Sequence, residues 1–215
     1  MSVMSIPTIR LFLIRHGETI SNREMRYLGS RDEPLADSGL RQAELLGEAM
    51  APLPVHAVYA SPLRRAADTA GRIAAARDVD VRLEPRLREQ CFGDWEGLTR
   101  GEILAGDARE QLLRWEADLG LGPPGGESLT SVQERVLDLV GDLARAHAGD
   151  WIALVSHVGP IKALLCAALG VPLAAARRMF LDPATLSVVD WSERPVVRLF
   201  NAHAHLGWQS ARWMG

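Results

Sequence analysis

The sequence predicts an α/β fold: a three-layer α/β/α sandwich on a mostly parallel sheet, with one antiparallel edge strand and a helical lid insertion. Three observations predict it. Short apolar runs alternate with segments of helical spacing along most of the chain, as βα units do. One stretch, about 90–127, breaks that alternation with tryptophans, glycines and short helical signals. The 215 residues, 47% hydrophobic and 24% charged, suit a single domain over 1–215 with a sizeable core, and hold no internal repeat.

Residues 9–14 read as a short buried strand running straight into Arg15-His16-Gly17-Glu18-Thr19. Residues 38–50 place Leu40, Ala43, Leu46 and Ala49 on one helical stripe. A second strand spans 55–60. Ser61-Pro62 then reads as a helix start, a hydroxyl cap followed by a proline whose missing N–H costs nothing there, and the helix runs to about Arg77. Residues 81–83 form a third strand ending near Pro85. In the insertion, Thr99-x-x-Glu102 is a capping box for one short helix, and another follows over 107–118. Gly122-Pro123-Pro124-Gly125-Gly126 lacks the lysine and serine of a P-loop and reads as a bend. A long helix, 128–147, carries Val132, Val136, Leu139, Val140 and Leu143 on one side. Strand 151–156, helix 160–169 and closing strands 185–191 and 196–201 complete the chain.

Composition narrows the function. A net charge of −3 gives no general pull toward nucleic acid, and no basic run suits an anionic membrane surface. No apolar run reaches spanning length, and Met1 to Arg10 lacks a targeting pattern. Cys91 and Cys166 form no CxxC pair, so a reducing, cytoplasmic setting is expected. An anionic ligand must then be held by a few placed arginines.

Those arginines are visible. Ligands of open α/β sheets collect at the carboxyl ends of strands, and five polar residues follow four of the strands there. Arg15 and His16 follow the first strand, Arg65 the second, Glu89 the third, and His157 the strand 151–156. The residue types fit phosphoryl transfer, in which positioning and electrostatics do most of the catalysis. An arginine fork holds two oxygens at once. His16 can attack only when unprotonated, and Arg15 and Arg65 disfavour its imidazolium. Glu89 would protonate the leaving oxygen, in a form that an incoming phosphate dianion and partial burial favour, and later activate water. His157, charged or as a neutral donor, would bind the transferring oxygens. No step needs a metal or other cofactor.

Taken in order, the motifs resemble the histidine phosphatase superfamily, which includes the phosphoglycerate mutases. Arg15-His16-Gly17-Glu18-Thr19 with Asn22 is similar to its opening signature, and Ser61-Pro62-Leu63-Arg64-Arg65-Ala66 to the next motif. Leu87-Arg88-Glu89, Phe92 to Gly97, Gly125-Gly126-Glu127-Ser128 and Val155-Ser156-His157 follow in the family's order. The resemblance implies a phosphohistidine on His16, Glu89 as proton donor, and Arg15, Asn22, Arg65 and His157 on the phosphate. It implies a metal-independent phosphomonoesterase acting on a small phosphate ester. The segment after Glu89 lacks the tyrosine pattern of the cofactor-dependent mutases, and Phe92 to Thr99 looks most like phosphatases of α-ribazole phosphate or of broad specificity. Mutase-type transfer and a non-catalytic phospho-ligand domain are the alternatives. Val158 stands where the family commonly has glycine, with its backbone N–H expected to point at phosphate.

Other candidates have plainer readings. Glu18 braces the loop, Arg64 is a solvated helix charge, and Glu96 and Glu127 serve as pocket or supporting residues. His203 and His205 have metal-compatible spacing but no accompanying acidic or cysteine cluster, so a structural role is expected. Trp95 and Trp115 read as a small core of the insertion, the alternative being that they line a substrate mouth. Oligomeric state is open, a homodimer included.

Overall fold

The computed structural model describes residues 8–77 and 79–207, so most of the N-terminal stretch searched for a targeting pattern lies outside it. Six strands form one sheet: β1 (Ile9–Arg15), β2 (Ala57–Ala60), β3 (Val81–Leu83), β4 (Trp151–Ser156), β5 (Leu186–Trp191) and β6 (Val196–Ala202). Their spatial order is β3-β2-β4-β1-β5-β6, with β3, β2, β4 and β1 mutually parallel. The chain rule that parallel neighbours need a crossover helix explains why each of these strands is followed by helix or 3-10 turn.

Seven α-helices accompany the sheet among the described residues: α1 (Ile20–Arg23), α2 (Asp37–Met50), α3 (Arg64–Ala75), α4 (Arg100–Ala105), α5 (Arg109–Ala117), α6 (Leu129–Ala146) and α7 (Val158–Leu169). The two sheet faces have separate cores, because strand side chains alternate. Leu11, Leu13, Ile152 and Leu154 pack with Val136, Leu139 and Val140 of α6 and with Leu164 and Leu165 of α7. Phe12, Ile14, Val58 and Val155 pack on the other face with Leu46 and Met50 of α2 and with Ala66, Ala70 and Ile73 of α3. A third cluster, Trp95, Ile103 and Leu112 with Tyr27, Phe92 and Trp115, is the core of the lid. Its capping box forms as the sequence predicts: the Thr99 hydroxyl accepts from the Glu102 N–H, and the Glu102 carboxylate from the Thr99 N–H.

Three details differ from expectation. The one antiparallel strand is β5, and it lies one place in from the edge, because the turn after Trp191 folds β6 back alongside it. The buried stripe of α2 is Gly39, Ala43, Leu46, Gly47 and Met50; Ala49 faces solvent and Leu40 is half-buried. The rotation has a cause in Gly47, where a Cβ would stand 2.7 Å from the Arg72 carbonyl oxygen, so the glycine brings α2 close against α3. Finally, Ser61 does not cap α3. The helix begins at Arg64 with no side-chain cap, and Ser61 is committed elsewhere. No helix among the described residues is long and apolar enough to cross a membrane.

Candidate active site

Parallel register assembles the site. Arg15 of β1 lies beside Ser156 of β4, and Ala60 of β2 beside Val155. The next residues, His16, Ser61 and His157, therefore leave the sheet side by side at its carboxyl edge. The two imidazole centroids are 4.9 Å apart. A cavity of about 170 Å³ opens here, lined by Arg15, His16, Asn22, Arg65 and Glu89. Five of the six expected residues thus line one cavity, and His157 stands behind them, fully buried.

His16 is buried, and its Nδ1 lies 2.7 Å from the Gly17 carbonyl oxygen. A carbonyl only accepts, so the ring proton sits on Nδ1 and Nε2 keeps its lone pair. Burial first, then the charges of Arg65 and Arg15, hold its pKa well below the usual 6.5. The imidazole is neutral at pH 7, as a nucleophile must be.

The arginines are fixed by backbone carbonyls. Arg15 Nη1 donates to the Leu181 carbonyl at 2.6 Å. Arg65, in the first turn of α3, donates through Nη1 and Nη2 to the Arg31 and Gly29 carbonyls, each at 2.7 Å. Its Nε is buried with no hydrogen-bond partner. Arg64, one residue earlier, is exposed, as its neighbour's burial requires in a helix. Asn22 accepts the Thr19 N–H at 3.2 Å, which closes a capping box on α1 and sets its side chain at the cavity.

His157 is buried, and Nε2 lies 2.8 Å from Ser61 Oγ. Burial and the nearby Arg65, His16 and Arg15 hold its pKa well below the usual range, so the neutral form is the resting one. Nδ1 is buried without a partner. Ser61 is thus a site residue that sequence reasoning assigned to a cap; strand register, which brings β2 beside β4, is not readable from local sequence.

Glu89 occupies an unexpected place. Its carboxylate accepts backbone N–H groups from Gln90 at 2.9 Å, Gly159 at 3.0 Å and Val158 at 3.1 Å. The last two are the first residues of α7, whose positive end attracts an anion. The Val158 N–H is therefore taken by Glu89, not aimed at phosphate as expected. Valine fits because this residue is ordinary helix, beginning two residues before the predicted start. The close approach falls on Gly159, where a Cβ would stand 2.6 Å from Glu89 Oε1.

Three acidic residues brace the site. Glu18 Oε2 accepts from the Ser38 hydroxyl and from Arg23. Glu96 Oε1 accepts from the Ser30 and Phe92 N–H groups, tying the 28–31 turn to the lid. Glu127 pairs bidentately with Arg135, which also donates to the Glu89 carbonyl. His205 Nε2 donates to the Ala184 carbonyl at 2.9 Å, a structural contact. Among the described residues, no three His, Cys, Asp or Glu side chains converge to hold a metal ion.

A second cavity of about 260 Å³ adjoins the first and shares Tyr27, Glu89, Phe92 and Val158 with it. Trp115 lines it and also packs edge-on against Trp95, with ring centroids 5.4 Å apart. Trp95 is buried in the lid core, as expected, whereas Trp115 is half-buried and also lines the cavity mouth.

Comparison with known proteins agrees with this geometry. The model of the histidine phosphatase superfamily (branch 1) matches residues 11–203. Phosphoserine phosphatase 1 of Hydrogenobacter thermophilus is 35% identical over 201 residues, covering 93% of this chain and 95% of its own. A mycobacterial glucosyl-3-phosphoglycerate phosphatase, solved in complex with VO3, superposes with a TM-score of 0.83 at 34% identity, over 90% of this chain and 99% of its own. The α-ribazole phosphatase of Shigella flexneri gives 0.81 at 30% identity, over 90% and 96%.

Proposed function

This chain belongs to the histidine phosphatase superfamily, branch 1, and is an enzyme of phosphatase type; from that premise we propose that it hydrolyses small phosphate monoesters through a phosphohistidine on His16. The observation that carries the proposal is the state of the His16 ring. Its Nδ1 proton is held by the Gly17 carbonyl, and Nε2 is left as a neutral nucleophile in a cavity lined by two arginines.

In the first step Nε2 forms a bond to phosphorus as the phosphorus–oxygen ester bond breaks. The phosphorylated ring becomes cationic, and the Gly17 carbonyl stabilises the retained Nδ1–H. Arg15, Arg65 and Asn22 bind the three equatorial oxygens, and the unpartnered Nδ1 of His157 adds an N–H donor in the neutral tautomer whose Nε2 accepts the Ser61 hydroxyl. Glu89 gives its proton to the leaving oxygen. Both Glu89 oxygens already accept main-chain N–H groups, and the proton it relays is the one the substrate monoanion brings. In the second step Glu89 takes a proton from water, the water oxygen bonds to phosphorus, and the phosphorus–nitrogen bond breaks. Glu89 passes that proton to the departing phosphate, which leaves as its monoanion, and atoms and charge return to the starting state.

The test is turnover of para-nitrophenyl phosphate with excess EDTA, wild type beside His16→Ala. Chelator-resistant turnover that vanishes in the variant is expected, together with an acid-labile phosphoenzyme in quenched reactions. Full activity in His16→Ala would overturn the proposal.

A further inference from the structure

We propose that the second cavity is the leaving-group site and that Lys162 makes it selective for phosphate monoesters whose alcohol carries a carboxylate. The proposal rests on the phosphatase reading above and adds the chemistry of the alcohol.

The geometry follows from α7. Val158, Gly159 and Lys162 are spaced i, i+1 and i+4, so Lys162 lies on the same helix face one turn below the two N–H groups that hold Glu89. All four residues line the second cavity. An alcohol whose oxygen is protonated by Glu89 must therefore extend along this face toward Lys162.

The cavity offers that alcohol two kinds of wall. Opposite α7 stand Tyr27, Phe92 and Trp115, with the Tyr27 and Phe92 rings 4.9 Å apart and Trp115 edge-on to both. These rings give mostly apolar contact and carry no charge. The polar groups nearby are mostly committed: Gln90 donates to the Glu127 carbonyl, and Arg177 to the Trp115 carbonyl. Lys162 is different. Only through-space charge interactions with Arg15, Glu89 and Cys166 act on it, and among the described residues it has no ion pair or hydrogen bond.

A largely buried ammonium without a partner is costly, and burial and the Arg15 charge both lower its pKa. Glu89 does not supply the missing partner, since its two oxygens face the helix N–H groups. A carboxylate three bonds beyond the ester oxygen would. It would also offset the positive charge that Arg15, Arg65 and Lys162 together bring to the two adjoining cavities.

The test uses matched probes that differ by a carboxylate: O-phosphoserine against O-phosphoethanolamine, and 3-phosphoglycerate against glycerol 1-phosphate, with para-nitrophenyl phosphate as a common reference. The wild type should favour the carboxylate member of each pair in kcat/KM by roughly 10- to 100-fold, the range for a hydrogen bond to a charged group. In Lys162→Met that ratio should fall toward one, chiefly through a higher KM for the carboxylate member, and Lys162→Arg should restore most of it. Wild-type turnover of the aryl ester with no carboxylate preference overturns this proposal and leaves the phosphatase reading standing. So does a ratio that survives in Lys162→Met, or a fall in kcat on every substrate alike, which would make Lys162 a positioning residue for Glu89. Inertness toward all five probes removes both readings together.

Discussion

His16 and Trp115 both face the cavities, yet they are held in different ways. The His16 N–H donates to the Ser156 carbonyl at 3.1 Å, its carbonyl accepts from Ala184 at 3.0 Å, and its ring is set by the next peptide. Main-chain bonds at the end of a sheet thus define where the proposed nucleophile stands. Trp115 sits in the lid by ring contacts with Tyr27, Phe92 and Trp95 and by Arg177 at 5.9 Å over its ring. The lid core buries three hydrophobic residues, whereas each face of the sheet buries fifteen or more. The catalytic floor is therefore a backbone construction with a large core beneath it. The lid rests on ring contacts around a small core, with main-chain bonds joining Tyr27 to Gly97 and Leu98, and is expected to open before the floor does. Changes to the floor should cost rate before stability, and changes to the lid the reverse.

The largest effect expected from that contrast is the one at His16. Removing the nucleophile of a covalent mechanism costs roughly 10⁵–10⁶ in kcat. Because the site is framed by peptide groups, the His16→Ala melting temperature should remain near that of the wild type in a thermal scan. A large drop would mean that the ring itself supports the floor.

Next in size is Gly159→Ala. The added methyl would stand 2.6 Å from Glu89 Oε1, so the carboxylate must shift. A misplacement of about 1 Å costs on the order of 10²-fold in rate. Stability should hold or rise slightly, since alanine in a helix is better than glycine by about 1 kcal/mol. Steady-state kinetics beside chemical denaturation would show the split, and equal loss of both would sink it.

Much of this floor is legible in the sequence, for a physical reason. A buried strand must be apolar, its carboxyl end must be polar if it bears chemistry, and both signals are local. Arg15-His16, Arg65 and His157 stand out on that basis, and the structure brings them together. What depends on register or on tertiary approach is not local. Ser61 reads as a cap because its bond to His157 spans 96 residues. The main-chain partners of the Glu89 carboxylate are not legible either, because they lie 69 and 70 residues away. In the lid, the capping box is legible and the Tyr27 contact is not, because ring packing leaves no periodic trace.

Acidification probes the same contrast without mutation. His16 and His157 are neutral in the native state, with pKa values held below the 6.5 of an unfolded histidine. Between those values and 6.5 the unfolded chain binds more protons, so stability is full above pH 6.5 and falls as pH drops below it. Each histidine contributes a slope of up to about 1.4 kcal/mol per pH unit. The lid, residues 90–127, contains no histidine. Urea titrations at stepped pH should therefore show global unfolding easing from pH 6.5 downward. Lid opening, read by proteolysis, should stay nearly constant over the first unit of that range.

The smallest effect separates the two regions most directly. Thr99→Ala removes the hydroxyl that accepts the Glu102 N–H at 3.1 Å, leaving one donor at the start of α4 unsatisfied. Loss of such a cap costs about 1 kcal/mol, which is about a fivefold change in an opening equilibrium. If the lid is a separate cooperative unit, amides of Arg100–Ala105 and Arg109–Ala117 should exchange about fivefold faster. Those of β1 and β4 should keep their wild-type rates, because they open only with the whole sheet. The Arg26 guanidinium bonds both Glu102 and the Gly97 carbonyl, so some of the loss reaches the 26–31 turn as well. Acceleration confined to the lid and that turn would fix the boundary between the regions at the contacts of Arg26 and Glu96. Equal acceleration in β1 and β4 would mean that lid and floor unfold as one, and the distinction between backbone-built and side-chain-built regions would fail.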